Sequence, residues 1–584
     1  MKRAHPMPRS MRCAVLIMLG VLLPVAANAQ DFERVQPKLP PQPATPPVEV
    51  PPEAAPVEGD TRVLVPELRG LVFVDGMGRL QAGGVAPETV SDGIGVREAP
   101  LLSDPDFAAK LRPYIGPPLT QADLDAIGHL VRETYRAKEH PFVHVSVPPQ
   151  NVENGIVQVV ITEYRVGEVT VTGNRHFSTE LIRDFGDLKS GEVLTTPRLR
   201  EALEDYNQNP FLTVSAIAKP GRETGLTDIE LQAQDRAPWR VYAGYDNQGV
   251  PTLDRDEWYV GFNWGNVAGT GQILSYQFTR AFNGRYESHS ASYVVPIDAY
   301  NRVLFFGAYA TQTPRLAPIF RSRGHSGQVS MRWSSDLPLW GGLKQRLQAG
   351  FDFKRTDSNL EFARFRILDN AVGIFQFPVI YTASLPDSHG ETVAENLLVI
   401  SPGNITHNNN DAAFRLLVPG SDATYVYDRI SLTRTTTLPH GMSWIARGLV
   451  QVASDNLPYS EQIGGGGIGS VRGYDTNTAL GSEGLVLTTE LRSPAFSLIG
   501  NFGKGQAISD QMQVGVFIDY AWLRQRNRIP DLRRSEELAS VGVNLHYTVD
   551  HYLDLQVEVG TQLNRPSFAR DKDTQAAIVA TISF

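Results

Sequence analysis

The C-terminal strands alternate with a period of two, and this constrains the fold more than any other feature. In 541–548, Val541, Val543, Leu545 and Tyr547 oppose Gly542, Asn544, His546 and Thr548. In 553–560, Leu553, Leu555, Val557 and Val559 oppose Asp554, Gln556, Glu558 and Gly560. The last stretch sets Ala576, Ile578, Ala580, Ile582 and Phe584 against Ala577, Val579, Thr581 and Ser583. Successive side chains of a strand point to opposite faces. One face here is apolar and the other carries ionisable groups, as for a strand with hydrocarbon outside and water inside. The chain is therefore expected to end as a transmembrane antiparallel β-barrel. A soluble sandwich or propeller would need the reverse polarity and would have no use for a terminal aromatic.

At 584 residues the chain is too long for one compact domain. It opens with a processing signal: Lys2, Arg3, Arg9 and Arg12 precede the apolar run 13–25, and Ala27-Asn28-Ala29 is an A-x-A cleavage site. The apolar run is too short to span a bilayer, which takes ~20 residues. Residues 1–29 are thus read as a signal peptide, cleaved after Ala29. The one cysteine, Cys13, leaves with it. The exported chain is expected to hold no disulfide and no cysteine-ligated metal; no metal site and no cofactor are expected. A formal charge of −9 argues against nucleic acid as a partner.

Residues 30–62 read as a Pro-rich linker, densest in prolines over 36–57, an extended tether without a core. Two small mixed units follow, over 63–164 and 165–236. In the first, Thr120 caps a helix with Leu124, Ile127, Val131 and Tyr135 on one side, and two strands follow at 142–147 and 156–162. Its Gly-rich stretch 82–96 reads as loop. The second unit opens with the strand RVGEVTVTGN, continues with helices starting at Ser178 and at a Thr196 N-cap, and closes with strands near 211–218 and 227–233. From 237 to 584 the pattern is short alternating strands with no helix. At ~10 residues per strand plus connections this fits about sixteen strands. Boundaries in 361–412 do not resolve from the pattern.

The stretch 463–474, IGGGGIGSVRGY, contains G-x-G-x-x-G. Without a strand before it and a helix after it, that motif does not indicate a dinucleotide site. The glycines allow a loop to fold back tightly against other backbone, and Arg472 follows them. In 512–520, Met512, Val514, Val516, Ile518 and Tyr520 form the lipid-side set, which turns Phe517 and Asp519 into the lumen. In 485–492, Val486, Thr488, Glu490 and Arg492 point inward. A loop at 463–480 folded into the lumen can bring Arg472 to Asp519, where a guanidinium suits bidentate pairing. The alternative is a solvated hairpin whose arginine meets only water.

Val471-Arg472-Gly473-Tyr474 resembles the VRGY motif in the lumen-inserted sixth loop of two-partner secretion transporters, the TpsB or ShlB/FhaC/HecB-like proteins of the superfamily that includes the barrel-assembly insertase. Phe517-Ile518-Asp519 resembles that family's F-x-D-x-G strand motif, with Ala521 where the motif has glycine, which puts a close loop–strand approach there in question. The two mixed units resemble POTRA domains. The resemblance implies that Arg472 pairs with Asp519, that Glu490 joins the same network, and that Phe584 is a signal for barrel assembly. Many members begin with a helix that plugs the pore; only 30–35 precede the prolines here, too short for a stable helix, so none is expected.

The resemblance further implies a protein of the Gram-negative outer membrane, its POTRA-like units in the periplasm. It would export, and in some members activate, an unfolded partner of the TpsA type, a haemolysin or adhesin. The barrel-assembly machinery and outer-membrane lipid are the other expected partners. The chain is not expected to be an enzyme: no G-x-S-x-G or H-E-x-x-H occurs. The rivals are an insertase of the same superfamily and, more remotely, an outer-membrane hydrolase.

Overall fold

The computed structural model describes Phe32, 34–41, Pro46 and 61–584, except 87–89, 91, 224, 316–319, 363–364, 502–508, 530–532 and 568–570. The signal sequence with Ala27 and Ala29 lies outside these residues, as does most of the 42–60 tether.

In the first module a four-stranded sheet runs in the order Ile94–Arg97, Gly70–Asp75, Ile156–Glu163, Val143–Ser146. The helix Gln121–Ala137 lays Ile127, Val131 and Tyr135 on Leu71, Phe73, Val159 and Ile161. Thr120 and Asp123 close a capping box at its start, which satisfies otherwise orphaned N–H groups. The stretch read as loop over 82–96 ends in a strand: Ile94–Arg97 pairs in parallel with Gly70–Asp75 because Ile94 and Val96 reach the core.

The second module orders Arg165–Thr172, Leu226–Asp235 and Leu212–Pro220 in one sheet, covered by helices Thr179–Phe185 and Thr196–Tyr206. The N-cap of the second helix is Thr195, one residue earlier than the sequence reading, because the Thr195 hydroxyl accepts from the Arg198 N–H. Asp235 closes the turn after the first strand: its carboxylate accepts from the backbone N–H groups of Arg175, His176 and Phe177. Burial raises this carboxyl, but those N–H groups outweigh it and hold Asp235 below the ordinary carboxylate range. A depressed folded pKa gives stability that is present above the unfolded pKa and lost as the pH falls through the folded one. Asp235→Ala is expected to cost about 1–2 kcal/mol at neutral pH. In thermal melts of the full chain, the difference from wild type should narrow as the medium is acidified below the carboxylate range.

The remaining chain closes into a sixteen-stranded antiparallel barrel. Its strands are β1 (Trp239–Asp246), β2 (Glu257–Val267), β3 (Gln272–Ala281), β4 (Tyr286–Pro296), β5 (Asn301–Gln312), β6 (Phe320–Trp340), β7 (Leu343–Phe362) and β8 (Phe365–Asp387). They continue as β9 (Gly390–Pro402), β10 (Thr424–Thr437), β11 (Ser443–Ala453), β12 (Glu483–Arg492), β13 (Asp510–Arg524), β14 (Ser535–Val549), β15 (Leu553–Gln562) and β16 (Thr574–Ser583). The alternation read from the sequence becomes the two faces of the wall. Val516, Ile518 and Val543 are more than half exposed on the outside, whereas Phe517 and Asp519 are buried inside. The unsettled region 361–412 holds the end of β7, all of β8, a tight turn at 388–389, β9, and the start of a loop that carries a short helix, Asp411–Leu417, capped by Asn410. That helix corrects the all-strand reading of this half; seven residues are too few for periodicity to announce.

The seam is closed by a short ladder. Tyr242–Asp246 of β1 pair with Val579–Ser583 of β16, and Val241 and Phe584 exchange two further backbone bonds of 3.0 and 2.9 Å. Phe584 itself is exposed on the outer face.

The first residues of the expected tether belong to the barrel. Phe32 and Val35 are buried against Leu253, Ala281, Tyr286 and Ala310. Arg34 reaches the inward Glu257 with two bonds, 2.6 and 3.2 Å, and lies 3.8 Å from Asp246. Residues 34–36 form a turn, and 37–41 carry no regular secondary structure. The described residues hold no helix here, yet a strap lies in the lumen. A two-bond ion pair with a buried acid anchors it, where the sequence showed only prolines.

Candidate functional site: a loop clasped inside the lumen

The connection between β11 and β12 turns inward. Its two limbs pair as a small ribbon, Ile463–Gly465 with Ala479–Gly481. Beyond that ribbon Gly466 and Gly467 adopt positive φ values of 111° and 91°, which bend the loop tip back on itself. Val471 packs fully buried with Ile463, Tyr474, Val486, Ala521 and Leu538. The alanine at 521 does not hold the loop away. Its methyl faces Gly465, at 3.4 Å from where a Cβ there would stand.

Arg472 is the centre of the clasp. Its Nε and Nη2 donate to the two oxygens of Asp519 at 2.7 and 2.8 Å, and its backbone N–H donates to Asp519 Oδ2 at 3.0 Å. Nη1 donates to Glu490 Oε2 and lies 3.7 Å from Glu558 Oε1. Arg492 holds the other oxygen of Glu490. The guanidinium lies 3.6 Å from the centre of the Phe517 ring, close enough for cation–π attraction. That ring needs the glycine opposite it, since a Cβ at Gly542 would fall 2.4 Å from Phe517 Cζ. Arg472, Glu490, Asp519 and Glu558 are all at least nine-tenths buried. Such a cluster is not automatically stabilising, because desolvation offsets attraction, but removing the cation leaves acids buried against one another.

Gly473 and Tyr474 fix the rest of the motif. Gly473 has φ 86°, and a Cβ there would stand 2.7 Å from the Gly560 carbonyl group. Gln562 Nε2 donates to the Gly473 carbonyl at 2.8 Å. Tyr474 Oη lies 2.6 Å from the Asn564 carbonyl and 2.9 Å from that of Ala539, either of which can accept its proton. Gly473→Ala is expected to lift the loop off β15, through backbone strain of about 1–3 kcal/mol and collision with Gly560. The check is protease sensitivity of the 463–480 loop in a barrel that still migrates as folded.

The sequence reading singled out Arg472, Asp519, Phe517 and Glu490, and the structure brings these together. Glu558 escaped that reading, although it stands on the ionisable face of the 553–560 alternation. Two further anchors were missed. Arg255, in the β1–β2 connection, makes two bonds to Asp475, of 2.6 and 2.9 Å. At the loop root, buried Glu461 accepts from Lys354 Nζ (2.7 Å), Gln376 Nε2 (2.9 Å) and Tyr427 Oη (3.0 Å) on β7, β8 and β10. The loop is thereby tied to two sectors of the wall, its root to β7, β8 and β10 and its tip to β12, β13 and β15.

The family model for "Haemolysin secretion/activation protein ShlB/FhaC/HecB" matches residues 225–547. A ShlB-type POTRA domain matches 90–163, and a second POTRA model, described as a surface antigen variable number repeat, matches 164–232. The heme/hemopexin transporter protein HuxB of Haemophilus influenzae (strain 86-028NP) is 20% identical over 487 residues, 80% of this chain and 82% of the relative. The hemolysin transporter protein ShlB of Serratia marcescens is 22% identical over 427 residues, 70% of this chain and 72% of the relative. Among solved structures, CdiB from Escherichia coli superposes with a TM-score of 0.70 at 16% identity, covering 100% of both chains. CdiB from Acinetobacter baumannii gives 0.58, also at 16% identity and full coverage. At that identity the likeness speaks for the fold, and the sequence model speaks for the family. The chain belongs to the ShlB/FhaC/HecB family of haemolysin secretion/activation proteins, two-partner secretion transporters of the outer membrane with periplasmic POTRA domains.

Proposed function

We propose that this protein carries one large secreted partner, unfolded, from the periplasm through the barrel lumen to the cell surface, and that the Arg472 clasp keeps the inserted loop in the position that transport requires. The observation that carries this reading is the clasp itself. Four charged side chains are withdrawn from water, three on wall strands and one on the loop, and together they hold the loop to the wall. Capture of the partner falls to the POTRA modules. Val143–Ser146 and Ile94–Arg97 in the first, and Leu212–Pro220 in the second, are the outermost strands of their sheets, as is Arg165–Thr172 beyond the bridge that Arg165 makes with Val193. An extended chain can add as a further strand there without sequence-specific chemistry. The partner is of haemolysin or adhesin type, in keeping with a hemolysin transporter among the relatives. Folding of the partner outside gives the direction. Phe584 serves recognition by the barrel-assembly machinery during biogenesis, for which its exposed terminal ring is suited.

The insertase alternative needs a wall that opens sideways; the β1–β16 ladder, though short, closes the wall, and this favours passage along the lumen. Deleting the gene and comparing secreted and outer-membrane proteins separates the two. Loss of a single large secreted protein is expected; a general fall in barrel proteins would overturn the export reading.

A further inference from the structure

The strap touches the barrel in two ways. Arg34 uses its side chain. Phe32 and Val35 pack theirs in the apolar cluster described above, and the main chain over 35–38 is held as well: Ser290 Oγ donates to the Val35 carbonyl at 2.6 Å, Tyr242 Oη accepts from the Lys38 N–H at 2.9 Å, and Arg240 Nη1 donates to the Lys38 carbonyl at 3.0 Å. These three residues lie on the inner faces of β1 and β4. Bonds to main-chain groups read no side chain, so another extended peptide can make them equally well. Between the contacts the wall is polar, with buried Asn263, Ser275, Gln277 and Thr279.

The facing wall differs. A cavity of about 350 Å³ separates the strap from β6–β10, where Arg332 pairs with Asp352 and Lys354 with Glu461. Gln376 donates to both acids. The charged groups of that wall are thus engaged with one another, whereas the β1–β4 groups are engaged with a segment that can be replaced. The strap's main chain also offers few donors. Pro37, Pro40 and Pro41 have no N–H to donate, so a chain poor in proline can form more bonds along the same line.

We propose that the inner face of β1–β4 is a binding track for extended polypeptide main chain, occupied by residues 35–38 at rest and by the exported partner during transport. This rests on the export reading above. In transport Ser290, Tyr242 and Arg240 exchange one main chain for another, so the groups that held residues 35–38 are not left without a partner when the strap leaves.

The test uses the full chain with Arg34→Glu, whose new carboxylate is repelled by Glu257, in planar bilayers. The probe is an unstructured glycine–serine–glutamine peptide with a short lysine tail, driven in by voltage. Current blockades are expected, and their dwell times should shorten roughly tenfold when Tyr242→Phe and Ser290→Ala are added, for the loss of two ordinary hydrogen bonds. Tyr242→Phe alone should give part of that effect. Gln328→Ala with Ser330→Ala, on β6 across the cavity, should leave dwell times unchanged. Equal dwell times with and without the β1 and β4 substitutions, or an equal loss from the β6 pair, would overturn the track. A protein that shows track-dependent blockades yet secretes no partner from cells would overturn the export reading and leave the track standing.

Discussion

Replacing Arg472 with alanine is expected to abolish appearance of the partner in the medium while leaving a folded, membrane-inserted barrel. The wall does not depend on the arginine, because its closure comes from sixteen backbone ladders. The loop does. Without the guanidinium, Asp519 and Glu490 face each other and Glu558 with no cation between them, and breaking such a buried arrangement costs on the order of 3–5 kcal/mol. The loop relieves that cost by leaving the wall and admitting water. Heat-modifiable migration should therefore be unchanged, while protease added outside the cell should cut the released loop. Arg472→Lys should retain only a small fraction of export, since an ammonium cannot hold both oxygens of Asp519 and Glu490 at once. Exchanging the charges, Arg472→Asp with Asp519→Arg, is expected not to restore export. The new carboxylate on the loop would stand beside Glu490 and Glu558, and the stacking on Phe517 would be lost.

Arg34→Glu is expected to open the resting channel. The substitution turns a two-bond pair with buried Glu257 into a repulsion that Asp246 reinforces. Losing a buried charge pair of this kind, at about 3–5 kcal/mol, lowers strap occupancy roughly a hundredfold or more. Single-channel recordings should show a larger and more persistent conductance, and cells should admit solutes that the wild type excludes. Glu257→Gln keeps the shape and one acceptor, so its effect should be smaller but in the same direction. Wild-type conductance in Arg34→Glu would show that the strap is not held by this pair.

The wall was legible in the sequence because a strand between lipid and water writes its two faces into alternate residues. Phe517 and Asp519 fell inward on that rule alone. The loop was legible in part: its glycines announced tight turns, and the match of Val471–Tyr474 to a known motif directed Arg472 to Asp519. What the sequence did not disclose depends on contacts between distant segments. Glu461 meets Lys354 across 107 positions and Arg34 meets Glu257 across 223, and no local pattern marks either pair. The proline run was read by composition as a free tether, yet its first residues lie along the lumen because one arginine ahead of them finds a buried acid. Ala521 appeared too large for its place until Gly465 was seen to face it. The helix cap moved from Thr196 to Thr195 because two adjacent threonines offer the same chemistry, and only backbone geometry chooses between them.

The claim that the lumen is the conduit is tested most directly by trapping the partner in passage. A photoreactive side chain placed at Thr279, on the inner face of β3, or at Val543, on the lipid face of β14, would be irradiated while a partner fused to a fast-folding domain is stalled in export. The account predicts an adduct from position 279 and none from 543. Adducts from position 543, or continued secretion with no adduct from any inward position, would contradict it.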